Sequence, residues 1–282
     1  MQMNKIVKKE EMMMKRTIAL LLALVMVLAL AACSGNKSGD SAHNTVQNGK
    51  LIMSTNAEFP PYEMKADGEG VYTSSDGVKF EGIDVEIAKA LAEKLELELV
   101  IDDMDFDAAL IAVQQGKSDM VLAGLTYRED RDEVMDFSTS YATGVQVVIV
   151  RNDSDITELE DLENDKMIGT QRGTTGYIYA SDTPENGGYG EDHVLSYDNG
   201  ALAVQALLNG QIDAVIIDNG PAQAYAAANE DLHILPAEWV TENYCLAVKE
   251  GNQVLLDELN GALEELIADG TVQKIIDKYI TE

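Results

Sequence analysis

From Lys50 onward, apolar runs of four to seven residues alternate with segments of helical period, and the alternation occurs in two successive sets. This pattern specifies an α/β protein with largely parallel sheets, because each crossover helix must bury one face on the sheet it spans. In the first set, Leu51 to Thr55, Leu97 to Ile101 and Met120 to Ala123 are expected strands. Between them, Asp84 to Leu95 carries Val85, Ile87, Ala88, Leu91, Ala92 and Leu95 on one helical face, with Asp84 as its N-cap. Phe106 to Gln115 is a helix stopped by Gly116. In the second set, Met167 to Thr170, Val194 to Tyr197 and Ala214 to Ile217 are strands, and 175–180, 201–208 and 222–228 are helices. The β-branched run Gly144 to Val150 lies between the sets and is suited to carry the chain into a second lobe. Two amphipathic helices close the chain, Gln253 to Ala268 and Val272 to Ile280. The first has a core stripe of Leu255, Leu256, Leu259, Leu263, Leu266 and Ile267. Glycines at 68, 70, 77 and 82 mark a hairpin or mobile loop.

With 282 residues, 46% of them hydrophobic, the chain is large enough for two domains with proper cores. Fifty Asp and Glu against 20 Lys and Arg set a net charge of -30, which repels phosphate backbones and argues against a nucleic-acid partner. Three histidines and two cysteines supply too few clustered ligands for zinc, haem or iron–sulfur centres, so no metal or cofactor is expected.

Residues 1–33 read as an export signal. Lys15 and Arg16 precede fifteen consecutive apolar residues, Ile18 to Ala32, a length that fits a signal-peptide core better than a membrane span. Leu30-Ala31-Ala32-Cys33 resembles a bacterial lipobox, in which Cys33 is lipidated and becomes the mature N-terminus, and Met14 is a plausible start. Multiple acyl chains give a stable membrane anchor on the outer face of the cell. Removal of residues 1–32 takes away five cations (Lys5, Lys8, Lys9, Lys15, Arg16) and two carboxylates (Glu10, Glu11), which moves the net charge from -30 to -33. Cys245 then has no partner for an intramolecular disulfide and is expected to be a buried small hydrophobe. Residues 34–48, nearly free of apolar side chains, read as a flexible linker.

Three segments share one geometry, an apolar strand, a polar turn and a helix start, where open α/β sheets bind ligands. In Met120 to Arg131, Thr126 and Glu129 form a capping box, placing a helix after Thr126 with Arg131 one turn inside it. There the guanidinium can reach a carboxylate, or pair on the surface with Asp130 or Glu133. In Ile168 to Gly176, Gly173, Thr174 and Thr175 form an anion-friendly nest without the Gly-Lys-Ser/Thr of a P-loop. In Ile212 to Pro221, Asp218 ends a strand and either caps the next helix or faces a ligand cation. An anion clamp joined to a cation acceptor is what an α-amino acid requires.

Across Lys50 to Ile280 the order of motifs resembles the extracellular amino-acid-binding proteins of ABC importers, family 3 of the solute-binding proteins. The resemblance is carried by Thr55-Asn56-Ala57-Glu58-Phe59-Pro60-Pro61-Tyr62, Gly82-Ile83-Asp84-Val85-Glu86-Ile87-Ala88 and Phe106-Asp107-Ala108-Ala109-Leu110. Ala123-Gly124-Leu125-Thr126 through Arg131, Asp136-Phe137-Ser138, Gly173-Thr174-Thr175 and Asp213 to Asp218 then follow. It implies a type II periplasmic-binding-protein-like fold: two α/β lobes joined by a two-stranded hinge, lobe 1 from 49–142 plus 238–282 and lobe 2 from 143–237. It also implies that Arg131, with the N–H groups of Thr126 and Thr175, binds a ligand α-carboxylate. Asp218, the Thr126 hydroxyl and a carbonyl near Ala123 or Gly124 hold the α-ammonium, Phe59 and Phe106 flank the side chain, and Thr174 stands in the nest. The implied partners are an L-amino acid and a membrane permease. Asn56 stands where the family often has an acid. Glu58, beside Phe59, is suited to a cationic ligand side chain, whereas Gln171 is suited to an amide such as glutamine. The alternatives are glutamine or cystine binding, an enzyme on the same fold resembling cyclohexadienyl dehydratase, for which the chain has no His, Cys or Ser assembly at catalytic spacing, and a sensor domain.

Overall fold

The computed structural model describes residues 43–163 and 165–280. The signal segment, the lipobox with Cys33 and residues 34–42 of the expected linker lie outside the described residues. Among the described residues there are fifteen strands, numbered in chain order. A five-stranded sheet has the order β6-β1-β7-β15-β8, built from β1 (Lys50–Thr55), β6 (Glu98–Asp103), β7 (Met120–Val121), β8 (Met135–Phe137) and β15 (Ala247–Lys249). A six-stranded sheet contains β9 (Ala142–Arg151), β10 (Ile168–Gln171), β11 (Val194–Tyr197), β12 (Ala214–Asp218), β13 (Leu232–Ile234) and β14 (Val240–Tyr244). Its order is β11-β10-β12-β9-β13, with β14 also paired to β9. A small antiparallel sheet, β2-β3-β5-β4, is formed by β2 (Glu58–Phe59), β3 (Glu63–Lys65), β4 (Tyr72–Thr73) and β5 (Lys79–Glu81). The expected hairpin in the glycine-rich stretch is therefore β4 and β5.

The molecule is two-lobed, each lobe an α/β unit around one of the two larger sheets. β1 runs parallel to β6 and β7, and β10 parallel to β11 and β12, as the strand and helix alternation predicts. The chain leaves the first sheet through β9 and returns through β14, and these two strands pair antiparallel from Val240 opposite Gln146 to Tyr244 opposite Ala142. Gly144 sits in that ladder because the Tyr244 ring fills the space a side chain would need, 2.3 Å from where a Cβ would stand.

The Ile83–Lys94 and Gln253–Ala268 helices pack together through Leu91, Leu255, Leu259 and Leu263, all fully buried. Burial of one such leucine contributes about 1.5 to 3 kcal/mol. Ile267, expected in the stripe, is 40% exposed: the helix turns its apolar face past that position. Cys245 is buried, and burial pushes its thiol up to about 11.

Three local expectations are corrected. The first helix starts after Gly82, and Asp84 is no N-cap. Its buried carboxylate instead accepts from the Gly124 N–H at 2.8 Å and the Tyr141 hydroxyl at 2.9 Å. The segment around Arg131 is a single turn, Glu129–Asp132, preceded by Arg128, so Thr126 and Glu129 form no capping box. Thr126 bridges to Tyr244 instead, because the returning strand offers it a ladder partner. Residues 43–48, read as linker, are tied to the body: the Val46 N–H donates to Asp119 and Asn44 to Asn252.

Candidate functional site

A cleft of about 320 Å³ opens between the lobes, lined by Asn56, Phe59, Glu63, Phe106, Ala123, Gly124, Thr126, Arg131, Gln171, Thr174, Thr175 and Asp218. From the first lobe, β1 ends at Thr55 and delivers Asn56. The Phe106–Gln114 helix begins with Phe106, and β7 stops at Val121 so that Ala123 and Gly124 turn into the cleft. Gly124 adopts φ +54, and a Cβ there would lie 2.7 Å from the Phe59 ring, so glycine is what lets the aromatic wall close over the turn. From the second lobe, β10 delivers Gln171, the Thr175–Ala180 helix begins at Thr175 after Gly173 at φ +76, and β12 ends at Asp218. Ligands meet strand ends and helix N-termini there because unpaired N–H groups converge at those points.

Arg131 is 7% exposed and spans the lobes. Its Nη1 donates to the Thr126 carbonyl at 2.9 Å and its Nη2 to the Gly173 carbonyl at 3.0 Å, and its guanidinium lies 5.8 Å from the Phe106 ring centre. Two of five N–H groups are thereby used, and three remain for a ligand. Burial, with Arg128 nearby, lowers its pKa to about 10, so it stays charged at neutral pH. The surface pairing is taken by Arg128 and Asp130, at 2.8 Å. Thr174 caps the short helix, its hydroxyl oxygen accepting from the Tyr177 N–H at 3.4 Å.

Asp218 makes no cap bond to the following helix. Its carboxylate accepts from the Gln146 amide at 2.8 Å and from the Tyr244 hydroxyl. Burial, then the nearby charge of Glu242, pushes its pKa well above the usual carboxylate range. Gln171 donates to Asn56 across the cleft at 3.0 Å.

Eleven of the twelve lining positions were among those singled out in the sequence; Glu63 was not. Glu58, which was, does not line the cleft: it is exposed and accepts from Asn199 of the second lobe, beside Tyr225. Alternation explains both. Adjacent residues of a strand face opposite sides, so Phe59 pointing inward sends Glu58 outward, and Glu63 pairs with Phe59 across the β2–β3 ladder on the inward side. The two prolines between Phe59 and Tyr62 were the signal that a hairpin turns there. Glu63 is fully buried and both its oxygens lack a conventional donor. Burial, then the nearby Asp84 carboxyl, pushes its pKa well above the usual range. Gln146 and Glu242, on the two connecting strands, were also missed, although a lone Gln inside the apolar run 144–150 marks a buried polar contact.

The cleft therefore has one cation, Arg131, at one end and the buried carboxyl groups of Glu63 and Asp218 elsewhere. Among the described residues no cluster of His, Cys, Asp or Glu is arranged to hold a metal ion.

A family model for bacterial extracellular solute-binding proteins, family 3, matches residues 51–282. The chain is similar to the arginine-binding extracellular protein ArtP of Bacillus subtilis (strain 168), 32% identical over 271 residues that cover 95% of this chain and 99% of the relative. It is 31% identical to a probable histidine-binding protein of Neisseria gonorrhoeae over 276 residues, 96% of this chain and 97% of the relative. Among solved structures, an ancestral arginine-binding protein bound to arginine superposes with a TM-score of 0.73 at 37% identity, covering 82% of this chain and 98% of that one.

Proposed function

The chain belongs to the bacterial extracellular solute-binding proteins, family 3, and on that premise we propose that it captures a basic L-amino acid of the arginine type for an ABC importer. Arg131 and the N–H groups at Thr126 and Thr175 take the α-carboxylate. Asp218 and the Thr126 hydroxyl take the α-ammonium, and Phe59 and Phe106 flank the side chain. The observation that carries the basic specificity is Glu63, a fully buried carboxyl on the cleft wall without a conventional donor. A guanidinium supplies both the charge and the paired N–H groups that hold this carboxyl ionised despite its burial, whereas a neutral amide leaves it in the protonated form that burial favours. The relatives that carry arginine and histidine in their names support the same class.

Loading shifts a hinge equilibrium, because the groups that grip the ligand stand on both lobes and only the closed form brings them together. The permease then receives the ligand from the closed form. Cys33 is the lipid attachment point that holds the protein at the outer face of the cell membrane.

A thermal-shift screen over the twenty amino acids with ornithine, citrulline and cystine tests the ligand class, since a ligand that binds only the native state raises the melting temperature. Arginine and lysine are expected to give the largest shifts. A larger shift with glutamine or cystine overturns the basic specificity. Labelling with radioactive palmitate, with Cys33→Ala as the comparison, tests the anchor; equal labelling of both chains overturns it.

A further inference from the structure

Glu242 lies on β14, one of the two connecting strands, and is 4% exposed. Its Oε2 accepts from three donors: the Thr126 hydroxyl at 3.1 Å, the Thr175 hydroxyl at 3.0 Å and the Gln146 side-chain amide at 2.9 Å. Its Oε1 is buried without a hydrogen-bond partner. A hydroxyl has one proton to donate and two lone pairs. With both protons committed to Glu242, Thr126 and Thr175 face the cleft as acceptors only. Gln146 restores no donor. Its two N–H groups have nearest acceptors in Asp218 at 2.8 Å and Glu242 at 2.9 Å, so its 3.4 Å approach to Thr175 leaves that oxygen free to accept. Asp218, beside them, already receives the Tyr244 hydroxyl and, when ionised, has no hydrogen to give. With Asp218 ionised, as an ammonium beside it would favour, these residues offer a ligand lone pairs and no proton.

We propose that Glu242 is the specificity-determining residue for the α-amine: by drawing the Thr126 and Thr175 protons out of the cleft, it obliges the ligand to arrive as an ammonium. Such a group brings three N–H donors and no acceptor. A des-amino or 2-oxo acid with the same carboxylate and side chain leaves the threonine oxygens and Asp218 unpaired. Glu242 does not line the cleft, so it acts through the two hydroxyls as a positioning residue. This inference rests on the amino-acid reading of the cleft and assigns the residue that enforces it.

The test is calorimetry of the full chain with L-arginine and with 5-guanidinopentanoate, its des-amino counterpart. Where another amino acid gives the largest thermal shift, that amino acid and its own des-amino acid are used. Glu242→Gln is expected to weaken amino-acid binding about tenfold or more and to change des-amino binding less than about twofold. A carboxamide can send its own N–H to one threonine, which frees that hydroxyl's hydrogen to turn into the cleft. Equal losses for both ligands would make Glu242 a hinge strut and overturn the proposal, as would no loss for either. Thr175→Val, which keeps Glu242 and nearly the same volume, is expected to give the same selective loss and serves if the first variant does not fold. Wild-type protein that binds no α-amino acid overturns the reading of the cleft itself, an outcome distinct from any result on the variants.

Discussion

The Gln171 side-chain amide donates to the Asn56 carboxamide oxygen at 3.0 Å, joining the two lobes across the cleft. The direction is set by Met104, whose carbonyl takes the Asn56 amide hydrogen at 3.0 Å and leaves only the oxygen to face Gln171. Arg131 to the Gly173 carbonyl and Asn199 to Glu58 are two further bridges between the lobes. Under the proposed hinge closure, these are bonds that opening the cleft to a ligand has to break.

Arg131→Ala is expected to weaken ligand binding by about 2 to 5 kcal/mol, because the ligand carboxylate would be buried without its charged partner. Arg131→Lys should recover only part of this, since an ammonium cannot reproduce the planar fork. Calorimetry on both variants checks it, and unchanged affinity in the alanine variant removes Arg131 from the site.

Glu63 and Glu58 separate the inner from the outer carboxylate. Glu63→Gln should lower arginine and lysine affinity by about 2 kcal/mol or more, the range for a charged partner lost from a buried pair. Glu58→Gln should stay within about 0.5 kcal/mol, as expected of an exposed position. The reverse ranking in parallel titrations would return the specificity to Glu58.

Burial holds Asp84 at about 7 in the folded protein. An unfolded aspartate titrates near 3.9, so between about pH 4 and about pH 7 the native state binds the extra proton. Stability contributed by this group therefore falls as pH rises through that window and is lost above about 7. Glu63 shifts in the same direction, with burial as the main cause. Melting temperatures of the ligand-free protein should decline from pH 5 to pH 7.5, and Asp84→Asn should flatten the decline. An equal or steeper slope in the variant contradicts this account.

Gly124→Ala places a side chain at a left-handed position against the Phe59 ring. The strain alone costs about 1 to 3 kcal/mol, and displacement of Phe59 should weaken ligand binding as well. A variant with wild-type melting temperature and affinity would show that the turn relaxes freely.

Several misplacements in the sequence reading have one origin. Thr126 with Glu129 has the spacing of a capping box, and Asp84 precedes a helical stripe as an N-cap would. Both patterns are local, and both were overridden by partners distant in the chain: Tyr244 and Glu242 for Thr126, Gly124 and Tyr141 for Asp84. Adjacency to Phe59 in the sequence points to Glu58, whereas strand alternation makes the next residue the wrong neighbour and the cross-strand residue, Glu63, the right one.

Periodicity and turn chemistry along the chain were enough to determine the α/β lobes, the loops that supply Arg131, Thr175 and Asp218, and the amphipathic helices, because hydrophobic burial acts on patterns within each element. Which carboxylates face the cleft, and that one oxygen of Glu242 gathers Thr126, Thr175 and Gln146, was decided only in three dimensions. A carboxylate's role depends on the donors brought to it, and here those donors come from residues as much as 116 positions away in sequence.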